Sequence, residues 1–146
     1  DDPEGAISVE DGDYLPNIPK HSFKVRAVYK PEPAWYLGAT MTAFSSSYMM
    51  GNENQENNSS VNGLRSEVPG YAVVNLDSEY NFSNMLAGWK IYAKVTNLFD
   101  NKYYTGGRIA ESRVNADRSF SEEEIATASL VGGAPRAGWV GLRYEF

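Results

Sequence analysis

The chain has 146 residues, 13 Lys and Arg against 19 Asp and Glu, a formal net charge of −6 and no cysteine. That length suits one domain with its own core. The negative balance argues against nucleic acid as a partner, and the lack of thiols excludes disulfides and thiolate metal sites.

No apolar run reaches the roughly 18 residues of a transmembrane helix. A mean hydropathy of −0.47 still leaves room for a membrane barrel, whose strands alternate apolar and polar side chains and so average to a polar value. Residues 1–19 are acidic and turn-rich, and Pro16 and Pro19 stiffen them into an extended lead-in. Asp1-Asp2-Pro3-Glu4 has neither the basic nor the apolar part of a signal peptide, so the chain reads as mature or as a piece of something longer.

A first strand is predicted at roughly 20–31. Phe23, Val25, Ala27 and Tyr29 form one face, and Lys24, Arg26 and Lys30 with Val28 form the other. A Lys or Arg on a lipid face at mid-membrane costs about 2–4 kcal/mol, so the basic face must meet water. Pro31-Glu32-Pro33 reads as a hairpin turn into a second strand at 34–49, with Trp35, Leu37, Ala39, Met41 and Ala43 on its apolar side. The tract Gly51 to Ser60 is too polar to bury itself, which makes 50–69 a long loop closed by Pro69-Gly70.

A third strand at 70–82 sets Val74, Leu76, Tyr80 and Phe82 against Asn75, Asp77, Glu79 and Asn81. After a short turn at 83–88, a fourth strand at 88–99 sets Ile91, Ala93 and Val95 against Lys90, Tyr92 and Lys94. Gly106-Gly107 and Gly132-Gly133 bracket a second long loop, 105–133. Inside it, Ser121 with Glu124 has the spacing of a capping box, which predicts a helical turn or two over Ile125 to Val131. The closing strand, 134–146, carries Val140, Leu142, Tyr144 and Phe146 on one face and Gly141, Arg143 and Glu145 on the other.

Long and short connections alternate, and an antiparallel meander with short turns at one end and long loops at the other is the pattern of an outer-membrane barrel. The predicted fold is therefore all-β, an up-and-down meander of about five transmembrane strands. Two rivals remain: a passive porin or adhesin-type barrel, and a soluble β-sandwich binding module.

The motifs Leu15-Pro16-Asn17-Ile18-Pro19, Val68-Pro69-Gly70-Tyr71, Asn97-Leu98-Phe99-Asp100-Asn101-Lys102-Tyr103-Tyr104, Gly133-Ala134-Pro135-Arg136 and Gly141-Leu142-Arg143-Tyr144-Glu145-Phe146 occur in that order. Together they resemble the C-terminal end of a TonB-dependent outer-membrane receptor, across nearly all of 1–146. The resemblance implies a fragment of a barrel of about 22 strands with a plug in its lumen. It also implies a location in the Gram-negative outer membrane and energy-coupled uptake of a large scarce nutrient, most often a ferric siderophore. The partners it implies are outer-membrane lipid, the rest of the barrel and its plug, the TonB energy-coupling complex and the barrel-assembly machinery. No plug or TonB box is present in the sequence, so whether the chain is a fragment or a natural split protein stays open, as does the ligand.

Within that reading, Tyr48, Tyr103 and Tyr104 are ligand-contact candidates from their place on or beside the long loops. Val140, Leu142, Tyr144 and Phe146 resemble the signal that the assembly machinery captures by edge pairing. Asn97-Leu98-Phe99-Asp100 suits a turn in which Asn and Asp bond their own backbone while Leu98 and Phe99 pack. The basic and acidic residues of the polar faces suit ion pairs across neighbouring strands. His21 is the single histidine, and Asp117 with Glu122 to Glu124 lacks the spacing of a Ca²⁺ loop. Nothing in the sequence has the spacing of a catalytic, metal or cofactor site, so neither an enzyme nor a cofactor is expected.

Overall fold

The computed structural model describes residues 10–52, 66–82, 86–115 and 117–146. They are all-β, with nine strands: β1 Ser22–Glu32, β2 Trp35–Phe44, β3 Ser47–Tyr48, β4 Glu67–Val68, β5 Tyr71–Asn81, β6 Trp89–Thr96, β7 Tyr104–Val114, β8 Phe120–Gly132 and β9 Ala137–Tyr144. The antiparallel meander expected from the alternation is the five-stranded sheet β1-β2-β5-β6-β9. The predicted short turn at 83–88 lies partly outside the described residues, as does most of the polar tract 51–60.

The chain divides into two compact units. One holds the sheet: Ser22–Phe44, Ala72–Lys102 and Ala134–Phe146. Its register repeats the two-faced pattern strand by strand. Ala27 pairs with Ala39, Ser78 with Ala93 and Ile91 with Leu142 on one face, while Arg26 pairs with Thr40, Asp77 with Lys94 and Lys90 with Arg143 on the other. A shift of one residue anywhere would move charges to the apolar face, so the pattern itself holds the register.

The apolar face of this sheet is exposed. Val140 is 75%, Leu142 64% and Phe23 58% accessible. The buried hydrophobic residues among those described, Met49 and Val68, both belong to the other unit. A sheet with a row of ordered apolar side chains and no protein core beneath them is built to meet an apolar solvent.

The second unit holds the segments to His21, Ser45–Tyr71 and Tyr103–Gly133. Here the structure corrects two expectations. The second strand does not run to Met49. It stops at Phe44, because the Ser45 amide and hydroxyl bind back to His21: Ser45 N donates to His21 O at 2.9 Å and His21 N donates to Ser45 Oγ at 3.1 Å.

Residues 105–133 are likewise not an open loop with a helical turn. They form the antiparallel hairpin β7–β8, and the segment predicted helical, Ile125 to Val131, lies within β8. Local side-chain bonds make its tip: Ser119 N and Oγ bind Asp117 Oδ1 at 2.9 and 2.6 Å, and Asn115 Nδ2 binds Ser119 Oγ at 2.8 Å. With Arg118 at φ 69° this is a tight turn, and thirteen-residue β8 pairs along its length with β7, a stronger influence than one capping box. Those bonds from Ser119 hold the Asp117 carboxyl below the usual carboxylate range. Met50 joins the hairpin in parallel fashion, its N donating to Gly107 O at 3.1 Å and its O accepting from Ile109 N at 2.8 Å.

Candidate functional site

Three places carry the sequence-derived candidates: the polar face of the sheet, the aromatic residues of the second unit, and the last strand.

On the polar face, Arg26 grips Asp77 with both guanidinium nitrogens, at 2.8 and 2.7 Å, and also donates to Thr40 Oγ1 at 2.9 Å. The pair joins β1 to β5 across β2, and Gly38 is the residue that allows it. A Cβ there would lie 2.6 Å from Arg26 Nη2 and 2.7 Å from Asp77 Oδ2. Bidentate Arg–carboxylate geometry is the strong form of such a pair. Lys94, the register partner of Asp77, lies beside it. A second pair, Lys90 with Glu145 at 2.7 Å, ties β6 to the residue after β9. Tyr92 lies over Gly141, and the Arg143 guanidinium sits 5.9 Å from the Tyr92 ring centre.

Gly38→Val is expected to push Arg26 off Asp77 and lower the stability of the intact receptor by about 1–3 kcal/mol, read from its unfolding in detergent. Combining it with Asp77→Asn should add little to either single change, since both remove the same contact. Full additivity would show that the Arg26–Asp77 bridge does not depend on Gly38.

The Asn97–Asp100 motif forms a knot at the end of β6. Asn97 is buried at 3% accessibility with φ 49°. Its Nδ2 donates to Asn101 O at 2.9 Å and Ala134 O at 3.1 Å, and its Oδ1 accepts from Asn101 N at 3.0 Å. Its own N donates to Asn75 Oδ1 at 2.9 Å. Asp100, with φ 54°, accepts from Arg136 N at 2.9 Å. The turn is as the motif suggests, with one correction. Phe99 does not pack: it is 66% exposed, because the two left-handed residues flanking Leu98-Phe99 turn that ring outward.

The three candidate ligand tyrosines do not form one cluster. Tyr48, in β3, stacks on Tyr14 with ring centres 5.6 Å apart. Tyr103 stacks on Tyr71 at 4.5 Å, its carbonyl accepting from Gly133 N at 2.7 Å. Its ring also covers Gly133 so closely that a Cβ there would overlap it. Tyr104 opens β7 and is exposed. Tyr14 and Tyr71 are the rings that sequence reasoning missed, although both lie beside motifs singled out there. Lys20 extends the first stack: its Nζ donates to Tyr14 Oη at 2.9 Å and lies 5.2 Å from that ring centre. That hydrogen bond raises the Lys20 ammonium above its usual range.

On the last strand, Val140, Leu142 and Tyr144 project to the apolar face. Trp89, Tyr144 and Phe146 make a run of rings, 5.2 Å between the first two centres and 5.0 Å between the last two.

The profile of the TonB dependent receptor-like β-barrel family matches residues 1–98, and the chain belongs to that family. No curated protein sequence matches it at a significant level. Solved structures with the same fold include the siderophore receptor PiuA from Acinetobacter baumannii, with TM-score 0.60, 17% identity, and 88% of this chain covered against 14% of PiuA. The ferric-catecholate import receptor Fiu from E. coli K12 gives TM-score 0.57, 19% identity, and 88% of this chain against 16% of Fiu. The copper transporter OprC gives TM-score 0.55, 18% identity, and 92% of this chain against 18% of OprC. The chain therefore spans under a fifth of the length of these relatives. Its five-stranded sheet is a piece of outer-membrane barrel wall, with the apolar face to lipid and the polar face to the lumen.

Proposed function

We propose that this chain is the C-terminal part of the barrel of a receptor for TonB-dependent uptake of a ferric siderophore. Barrel wall and long connections would come from residues 1–146, with 50–69 and 105–133 facing the outside of the cell. The plug, the rest of the barrel and the coupling to TonB would come from the remainder of the receptor. The observation that carries the reading is the sheet that keeps every ion pair on one face and an exposed apolar row on the other, in a chain of this family. Such a wall is passive: it excludes lipid and frames a lumen. Specificity then falls to the outer connections, where Tyr48, Tyr103 and Tyr104 are the proposed ligand contacts. Val140, Leu142, Tyr144 and Phe146 form the proposed assembly signal, an apolar strand face open to capture by edge pairing.

Radio-iron uptake from a ferric siderophore, in cells whose one receptor contains this chain, tests the reading. Uptake is expected to vanish when TonB is deleted, and the Tyr48→Ala, Tyr103→Ala double variant is expected to bind the ferric complex about tenfold or more weakly. Uptake that persists without TonB would identify a passive barrel. Copper accumulation with no iron uptake would place the chain with OprC-like cargo.

A further inference from the structure

The second unit contains a cavity of about 280 Å³ that the tyrosine stack only borders. Its walls are Tyr14, Lys20, His21, Tyr48, Glu67 and the serine run 45–47. Backbone bonds hold those walls in place. Asn17 N donates to Tyr48 O at 2.8 Å, His21 and Ser45 exchange two bonds, and Tyr48 faces Glu67 in the β3–β4 ladder. The volume lies just below the roughly 300–1,000 Å³ of sites for drug-sized ligands, so it suits one ring and not a whole ferric chelate.

The charges decide what kind of ring. Lys20 brings one cation, but its Nζ already serves Tyr14 Oη and the Tyr14 ring. Glu67 brings one carboxylate into the same cavity. With the two signs balanced, the walls have no net pull on an anion. What they do offer is a dense mixture of donors and acceptors beside tyrosine rings. A neutral ring studded with hydroxyls satisfies such walls, because every hydroxyl both donates and accepts while the C–H side of the ring packs on an aromatic face.

We infer that this cavity binds a saccharide ring. The ring could come from a soluble sugar or from the sugar headgroup of a glycolipid in the outer leaflet, and the chemistry at the walls is the same for both. The site is separate from the ferric ligand proposed above and does not depend on it.

The test uses the intact detergent-solubilised receptor on an immobilised panel of hexoses and hexosamines. A second arm uses phosphatidylcholine vesicles with and without lipopolysaccharide. Binding is expected in at least one arm, and which arm responds identifies the source. Glu67→Gln, which keeps the shape and loses the charged acceptor, should weaken it roughly tenfold. Tyr48→Ala should abolish it, and Phe120→Ala, on the distant exposed hairpin tip, should leave it unchanged. No binding in either arm overturns the inference, as does binding that Glu67→Gln leaves intact. Preferential binding of citrate that is lost in Lys20→Gln would make this an anion site and overturn it as well. Iron uptake measured on the same variants reports on the ferric-ligand reading separately.

Discussion

Asn97→Val is expected to destabilise the receptor by about 3–5 kcal/mol, the largest effect of any single change in the sheet unit. Three side-chain hydrogen bonds disappear together, and the buried carbonyls of Asn101 and Ala134 lose their donor. A buried acceptor left without a partner costs about 1–3 kcal/mol. The backbone adds to this, since φ 49° suits Asn and is poor for a β-branched side chain. Asn97→Asp separates the contributions: it keeps the left-handed preference and the acceptor for Asn101 N but loses both donated bonds. It should fall between wild type and Val. Unfolding of the purified receptor in detergent measures the series, and an Asn97→Val receptor as stable as wild type would show that the knot contributes nothing.

The second large effect concerns assembly more than stability. Tyr144→Ser with Phe146→Ser is expected to reduce the receptor in the outer membrane to a small fraction of wild type, with the remainder degraded or aggregated before insertion. The two rings stack on each other and on Trp89 at the edge of the apolar face. Removing them takes away both the apolar grip of the strand and its edge-pairing partner surface. Cell fractionation with immunoblotting reads the outcome. Tyr92→Phe, on the opposite face of the neighbouring strand, serves as a control that should assemble normally. Wild-type amounts of the doubly substituted receptor would remove the assembly role from this strand face.

Much of the sheet is legible in the chain because each strand meets two solvents. Leu76, Tyr80 and Ile91 on one side and Asp77, Glu79 and Lys90 on the other leave one workable register, so period two alone is enough. The Asn97 turn is legible for a different reason, since Asn and Asp are the side chains that close such turns on themselves. The second unit is harder. Its hairpin β7–β8 carries the weak alternation of an element wet on both faces, and a single Ser-x-x-Glu spacing there points to a helix. The better signal is at the tip, where Asn115, Asp117 and Ser119 have the chemistry of a tight turn. The stack of Tyr14 on Tyr48 joins residues 34 positions apart through a backbone bond from Asn17, which no local pattern reports. Gly38 is similar: only the crossing of Arg26 and Asp77 over it reveals why that position has no side chain.

The membrane wall can be tested directly because the chain has no cysteine of its own. Single cysteines placed at Leu37, Leu76, Ile91 and Leu142, and at Thr40, Glu79, Tyr92 and Gly141, would be labelled in intact outer membranes with a water-soluble maleimide and with a spin label read for collision with oxygen or a polar nickel chelate. The first set is expected to resist the maleimide and to collide with oxygen, as sites in lipid do. The second set is expected to show no lipid signature, whether a plug covers it or water reaches it. Maleimide labelling of Leu37, Leu76, Ile91 and Leu142 at the rate of a free thiol, with no excess of oxygen collisions, would contradict a sheet whose apolar face lies against the bilayer.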